Sequence, residues 1–272
     1  MTTERILITV KTYPTLSKKY AELVCTAGFR EDGSWIRIYP LPFRLLDEDQ
    51  KYRKYQWVEL ALEKNPSDPR PESYRPIDRD NIKILGFLDT KKEWEERRKV
   101  VLNNNTIQTN LTTIIDAAHG NKSSLSIFKS REIVDFIAKK TDNPDWEFST
   151  KEAAEAALGQ GSLFVENRSD FQLVRKLPYK FSYRFIDDAG RSSTLMIEDW
   201  EIAKLYWNCL KGNSPEVSIK KVREKYLDDF ARKKDLYLFL GTTREWHIRK
   251  APNPYVIIGT FHPPFVTQLS LF

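Results

Sequence analysis

The chain has 272 residues, 40% of them apolar and 30% charged, and a net charge of +6 with a pI near 9.1. That length allows one large domain or two small ones, and no run approaches the roughly 18–20 apolar residues of a membrane-spanning helix. Two cysteines, Cys25 and Cys209, with no CxxC and no His/Cys cluster, exclude a disulfide framework and a structural zinc site.

The opening MTTERILITVKTY lacks the charged, apolar and small-residue zones of a signal peptide, so the expected location is the cytoplasm. Residues 5–13 read as a strand from their β-branched content. Two more strands, 21–30 and 34–40, meet at Glu31-Asp32-Gly33, a strong hairpin signal. In the second of these, Ile36 and Ile38 share the face expected to be core, while Trp35, Arg37 and Tyr39 would be exposed or line a cleft. Further strands are expected at 56–63 and 81–88, separated by a long loop rich in Pro, Ser and Asp. Five strands with little helix imply a small barrel or strongly curved sheet over residues 1–90.

The middle, 91–165, reads as helical: a charged helix at 91–102, a second one ended by Gly120, and an alanine-rich helix capped by Thr150. Between the last two, SLSIFKSREIVDFIA reads as a strand followed by further regular structure. GQGSLFVENRSD follows as an inter-domain linker. Residues 166–262 read as an α+β unit. Its strands are 179–187 and 191–197, its helices 198–211 and 215–234, and its closing strands 235–243 and 255–261. The fold class is therefore α+β, with an N-terminal barrel-like domain, a helical middle, a C-terminal α+β unit and an extended tail at 263–272.

Lys11, Tyr13, Ser17, Lys18 and Tyr20 mix cations, hydroxyls and rings in ten residues, and Arg37, Tyr39, Arg44 and Arg53 follow on or after the hairpin. Cations for a phosphate backbone and rings for unpaired bases are what a nucleic-acid surface needs, although an ordinary solvated sheet face carries the same residue types. The acids Asp187, Glu198 and Asp199 flank a hairpin and a helix start. Together they would suit a Mg²⁺-dependent nuclease, the one reading that requires a cofactor, but the lysine of a Glu-x-Lys motif is missing and a turn and a helix start explain them more simply. No glycine-rich phosphate loop appears, so ATP or NAD use is not expected. His119, His247 and His262 stand apart in sequence, which favours structural roles.

The final residues, Gln268, Leu269, Ser270, Leu271 and Phe272, resemble the peptide with which bacterial polymerases, mismatch-repair proteins and replication regulators dock on the DNA sliding clamp. The resemblance implies a clamp partner, with Leu271 and Phe272 as paired apolar anchors. Pro263 and Pro264 are expected to hold this tail off the body. Gln160-Gly161-Ser162-Leu163-Phe164 repeats the pattern except at its second position and reads as packing between domains or a weaker second peptide. The run Gly33-Ser34-Trp35-Ile36-Arg37-Ile38-Tyr39-Pro40 with Trp57-Val58-Glu59-Leu60 resembles PUA-like barrels of the ASCH and EVE type, which implies binding of RNA or modified DNA bases. The strings KTYPTLS, VCTAG, IRIYP and IEDW resemble a widespread bacterial family without an assigned activity. The resulting expectation is a DNA-binding accessory protein brought to replicating or repaired DNA by the clamp. The alternatives are an enzyme acting on DNA, either a nuclease or a base-processing one, and an adaptor that does not bind DNA at all.

Overall fold

The computed structural model describes residues 2–78, 81–160 and 171–266. Its first strands are β1 (Thr2–Lys11), β2 (Thr15–Ser17), β3 (Ala21–Arg30), β4 (Trp35–Leu41), β5 (Gln56–Lys64), β6 (Ser73–Pro76) and β7 (Lys83–Phe87). β1 pairs antiparallel with both β3 and β5, so the order β1-β3-β4-β6-β5 returns to β1 and the sheet closes. The β4–β6 pair is the parallel one. Five strands in this order, closed and with that single parallel pair, have the topology of an OB-type Greek-key barrel. Ile6, Ile8, Ile36, Ile38, Val58 and Leu60 point inward and make its core, as the alternation of the hairpin predicts. Gly28 is required where β3 crosses β1, because a Cβ there would lie 2.0 Å from the Leu7 carbonyl oxygen.

β6 corrects the expectation of an uninterrupted loop between 63 and 81. Four residues of it form a strand that bridges β4 and β5 and closes the ring.

The rest of the chain supplies α1 (Lys91–Arg98), β8 (Ile107–Gln108), α2 (Leu111–His119), β9 (Leu125–Phe128), β10 (Glu132–Lys140), α3 (Phe148–Gln160), β11 (Tyr179–Ile186), β12 (Ser192–Met196), α4 (Trp200–Leu210), α5 (Pro215–Arg223), β13 (Tyr237–Thr242), α6 (Arg244–Ile248) and β14 (Tyr255–Phe261). π-helical turns extend α1 and α5. The expected helical middle thus also contains three strands.

Here the first ring's strand order recurs. β9 pairs with β13, β10 with β11, β11 with β12, and β13 with β14, all antiparallel. A parallel bridge from Ile197 to Ile257 joins the end of β12 to β14. Only Lys129–Arg131 separate β9 from β10, so the two act as one bent first strand shared by both sides of a second barrel. α4 and α5 fall between its third and fourth strands and pack Ile202, Tyr206 and Val222 on the core formed by Phe181, Tyr183 and Phe185.

A third apolar cluster joins the two barrels. Val10, Ala27 and Phe29 from the first meet Phe239, Val256, Ile258 and Phe261 from the second, and Trp35 packs on Phe29 and Phe239 with ring centroids 4.0 and 5.5 Å away. Among the described residues, no helix is long and apolar enough to cross a membrane.

Candidate nucleic-acid interface

In OB barrels the outer face of the second and third strands, with the loops after the first and fourth, is the usual ligand surface. In the first barrel that face lies against the second barrel. Leu23, Cys25, Arg37 and Tyr39 point into a seam cavity of about 300 Å³ closed by Glu198 and Arg244. Arg37 is not a surface cation. It is buried, and its Nη1 donates to the Ser124 hydroxyl at 2.7 Å, which in turn donates to Glu72 at 2.6 Å. Arg70, also buried, pairs with Asp68. Burial opposes the Asp68 charge, but hydrogen bonds from Arg70 and Ser73 hold its pKa down to about 2. Burial pushes the Cys25 thiol up, which makes it a poor nucleophile, and likewise raises the Glu198 carboxyl.

The seam opens into a groove. Its first section, about 310 Å³, runs between the β1–β3 connection and the β10–β11 connection, with Tyr13, Pro14, Trp146, Lys176, Tyr179 and Lys180 among its walls. A second section of about 530 Å³ shares Trp146 and Lys176 and adds Phe148, Lys151, Arg175 and Trp207. Rings and cations alternate along it: Arg175 lies 3.9 Å over Trp207, and Lys176 lies 5.6 Å over Trp146. Hydrogen bonds fix the walls. Tyr13 donates its hydroxyl hydrogen to the Arg175 carbonyl at 2.7 Å and accepts from Trp207 Nε1 at 2.9 Å, while Trp146 Nε1 donates to the Val174 carbonyl at 2.8 Å. Phe148 is 80% exposed, a large ring held in solvent beside the groove.

At the edge of the groove, Lys139 on β10 lies directly opposite Lys180 on β11, and both are exposed. No carboxylate pairs with either among the described residues. Like charges in directly opposed positions weaken a sheet, and an anion laid across them would relieve the repulsion.

The residues expected from sequence to bind nucleic acid are not gathered on one surface. Tyr13 and Tyr39 line the groove and the seam cavity, Lys18 is exposed, and Arg53 lies over Phe87 at another cavity. Ser17 caps a turn by accepting from the Lys19 and Tyr20 amides, and the Lys19 ammonium lies 5.2 Å over the Tyr20 ring. Arg44 is held by Glu22 at 2.6 Å. Lys11 donates to the Tyr52 carbonyl at 3.0 Å and lies 4.2 Å over Phe43; burial first, and Lys54 next, lower its pKa to about 8.

The three acids do not converge. Asp187 is buried and accepts from the Leu111 amide at the start of α2 and from the Arg191 amide. Asp199 caps α4 and pairs with buried Lys54 at 2.8 Å, and Glu201 joins the same lysine at 3.0 Å. Glu198 faces the seam cavity. Among the described residues no three His, Cys, Asp or Glu side chains are placed to hold a metal ion.

The tail begins on the body rather than away from it. The Pro263 carbonyl accepts from the Asp235 amide at 2.9 Å, and the Pro264 carbonyl accepts from Arg98. The constraint of proline on φ does not prevent its carbonyl from being captured, so only Phe265 and Val266, both exposed, lead outward. Gln268–Phe272 lie outside the described residues, as do residues 161–164 of the second peptide.

Two family profiles cover the chain: a domain of unknown function (DUF8758) matches residues 2–103 and a domain of unknown function (DUF8757) matches residues 105–272. The division between them falls between the two barrels. No curated protein matches the chain. Among solved structures, the crystal structure of the tetrameric p202 HIN2 aligns over 97% of this chain and 92% of its own, with 7% identity and a TM-score of 0.30. The structure of a murine DNA binding protein bound with double-stranded DNA aligns over 98% of each chain, also with 7% identity and a TM-score of 0.30.

Proposed function

The chain belongs to the family described as a domain of unknown function (DUF8757), and we propose that it binds nucleic acid, holding a single strand of DNA in the groove beside its barrel seam. The observation that carries this reading is the groove wall itself: Trp146, Phe148 and Trp207 interleave with Lys151, Arg175 and Lys176, and Lys180 lines the adjoining section opposite Lys139, neither lysine paired with a carboxylate among the described residues. Cations track a phosphate backbone, and rings accept bases without regard to sequence. A single strand fits better than a duplex because stacking needs the base faces free.

The tail completes the proposal. Gln268-Leu269-Ser270-Leu271-Phe272 would dock on the sliding clamp, and tethering there would keep the groove at DNA even with modest intrinsic affinity.

The test is fluorescence anisotropy with a labelled single-stranded oligonucleotide over a salt series. Wild type should bind with an affinity that falls as salt rises. The Lys139→Ala/Lys180→Ala variant should weaken binding and flatten the log–log salt slope by about 1.4, at roughly 0.7 for each phosphate left without its lysine. Trp146→Ala should cost about 1–3 kcal/mol with the slope unchanged. Binding that ignores salt, or a double variant that binds like wild type, would refute the groove.

A further inference from the structure

A second cavity of about 470 Å³ shares no wall residue with the groove. Its walls come from both barrels: Arg53, Tyr55, Trp94 and Arg97 from the first half face Lys225, Phe230 and His262 from the second. From this cavity we infer a binding site for a nucleoside 5′-phosphate, with the phosphate on Arg97 and Arg53 and the base among the aromatic walls.

Arg97 is the strongest reason. It is only 6% exposed, yet no carboxylate pairs with it among the described residues. Its Nε donates to the Leu88 carbonyl at 2.9 Å, and its terminal nitrogens make no hydrogen bond there. The guanidinium is held in place by rings, 3.9 Å over Tyr55 and 4.8 Å over Trp94. A buried charge without a counterion is costly, and this one lines an open cavity rather than packed core. The other cations differ in their commitments. Lys54 is matched by Asp199 and Glu201, and Lys225 by Asp229 at 2.7 Å. Arg53 lies 4.3 Å over Phe87 with no acid partner among the described residues. Neither arginine is therefore ion-paired among the described residues, and the Asp89 and Glu201 carboxylates act on Arg97 only from a distance; two such cations suit a dianion, and the planar fork of arginine suits phosphate oxygens.

The chain is held in an unfavourable backbone conformation to build this wall. Lys92, Glu93 and Trp94 have φ of 47°, 53° and 66°, and Tyr55 has 63°. Each such non-glycine residue costs on the order of 1 kcal/mol, and these four set the positions of Trp94, Tyr55 and, one turn later, Arg97.

A polar reader is also present. Burial and nearby Lys234 lower the His262 pKa to about 3, so the ring is neutral. It stacks 3.5 Å from Phe230, and its Nδ1 is engaged by the Thr260 hydroxyl at 3.3 Å. Its Nε2 has no partner among the described residues and can bond a base edge. The volume lies within the range of about 300–1,000 Å³ for small-ligand sites. A free nucleotide and the 5′-phosphorylated end of a strand present this same chemistry.

Titration calorimetry on the full chain separates the possibilities, using a nucleoside 5′-monophosphate, the matching nucleoside, inorganic phosphate, and oligonucleotides with and without a 5′-phosphate. The monophosphate should bind at least tenfold more tightly than either half. Arg97→Lys, which keeps the charge but loses the fork, should weaken it at least tenfold, and Arg53→Ala at the exposed rim severalfold. If a 5′-phosphorylated oligonucleotide displaces the nucleotide and its 5′-hydroxyl counterpart does not, the ligand is a strand end; if neither does, it is the free nucleotide. No heat with millimolar nucleotide, equal binding of phosphate alone, or binding unchanged in both variants would overturn the inference. The groove can fail its own salt test without affecting this result.

Discussion

Replacing Lys54 tests how the two barrels are locked together. Lys54 belongs to the first barrel and is 7% exposed, while its partner Asp199 caps α4 in the second and is fully buried. Burial opposes the charge on Lys54, but the Asp199 and Glu201 carboxylates outweigh it and raise the lysine pKa; Lys54 in turn holds Glu201 below the ordinary glutamate range. Burial raises the Asp199 carboxyl to about 6 even beside the lysine, so Lys54→Met leaves it buried without a cation, either charged and unpaired or forced to take up a proton. Breaking a buried pair from one side costs about 3–5 kcal/mol. Glu201 adds little, because its side chain is half exposed and water can solvate it. The second half of the cycle is Asp199→Asn, which keeps an N-cap of nearly equal quality. The double variant Lys54→Met/Asp199→Asn has no stranded charge, so it should recover at least about 2 kcal/mol relative to the sum of the single variants. Urea unfolding followed by far-UV circular dichroism at neutral pH measures all four proteins. A loss below about 1 kcal/mol for Lys54→Met, or additive single variants, would show that the pair is not buried as described.

Three other outcomes follow. Lys11 has a folded pKa of about 8 against an ordinary 10.5, so between those values the unfolded chain binds more protons; stability should rise as pH climbs from 8 towards 10.5, and Lys11→Met should remove that slope in a melting series. Gly28→Ala places a Cβ against the Leu7 carbonyl and should cost about 3 kcal/mol or prevent folding, as read by thermal denaturation. Gln268→Ala/Phe272→Ala should abolish binding to purified bacterial sliding clamp while leaving the melting temperature unchanged; a wild-type chain that fails to bind would remove the tether from the proposal.

The hairpin Ala21–Leu41 was legible in sequence because one face of it fills a barrel core and Asp32-Gly33 permits the turn. β6 was not. It is four residues long, contains proline, and exists only through its neighbours β4 and β5. β9 was legible as a strand, but its place in a barrel was not. Leu125 and Ile127 face the seam and Phe128 faces the second core, so both faces are buried and no alternation shows which side packs on which core. The missing alternation concealed the second barrel, whose first strand is half β9. Site residues divide the same way. Tyr13 was visible as an aromatic among cations, but the Lys139–Lys180 opposition depends on register, and Arg37 has the composition of a surface cation while lying under a second barrel. That no carboxylate pairs with Arg97 among the described residues is a fact of three dimensions alone.

The covered face of the first barrel decides where a ligand can go. A strand of DNA using the outer face of β3 and β4 would have to separate the barrels and expose Val10, Phe29, Phe239, Val256, Ile258 and Phe261. Each large apolar side chain returned to water costs about 1.5–3 kcal/mol, and Arg37 and Lys54 would lose their partners as well. A stacked base returns only about 1–3 kcal/mol, so several bases would be spent before any net affinity appeared. A bound strand is therefore expected where the seam is already open, as at the groove on Trp146 and the cavity on Arg97. Since neither requires the barrels to part, binding at both should proceed without a change in the far-UV spectrum or in the protection of β3 and β4 amides from exchange. Deprotection of those amides on adding oligonucleotide would mean that the seam opens and that the ligand uses the covered face after all.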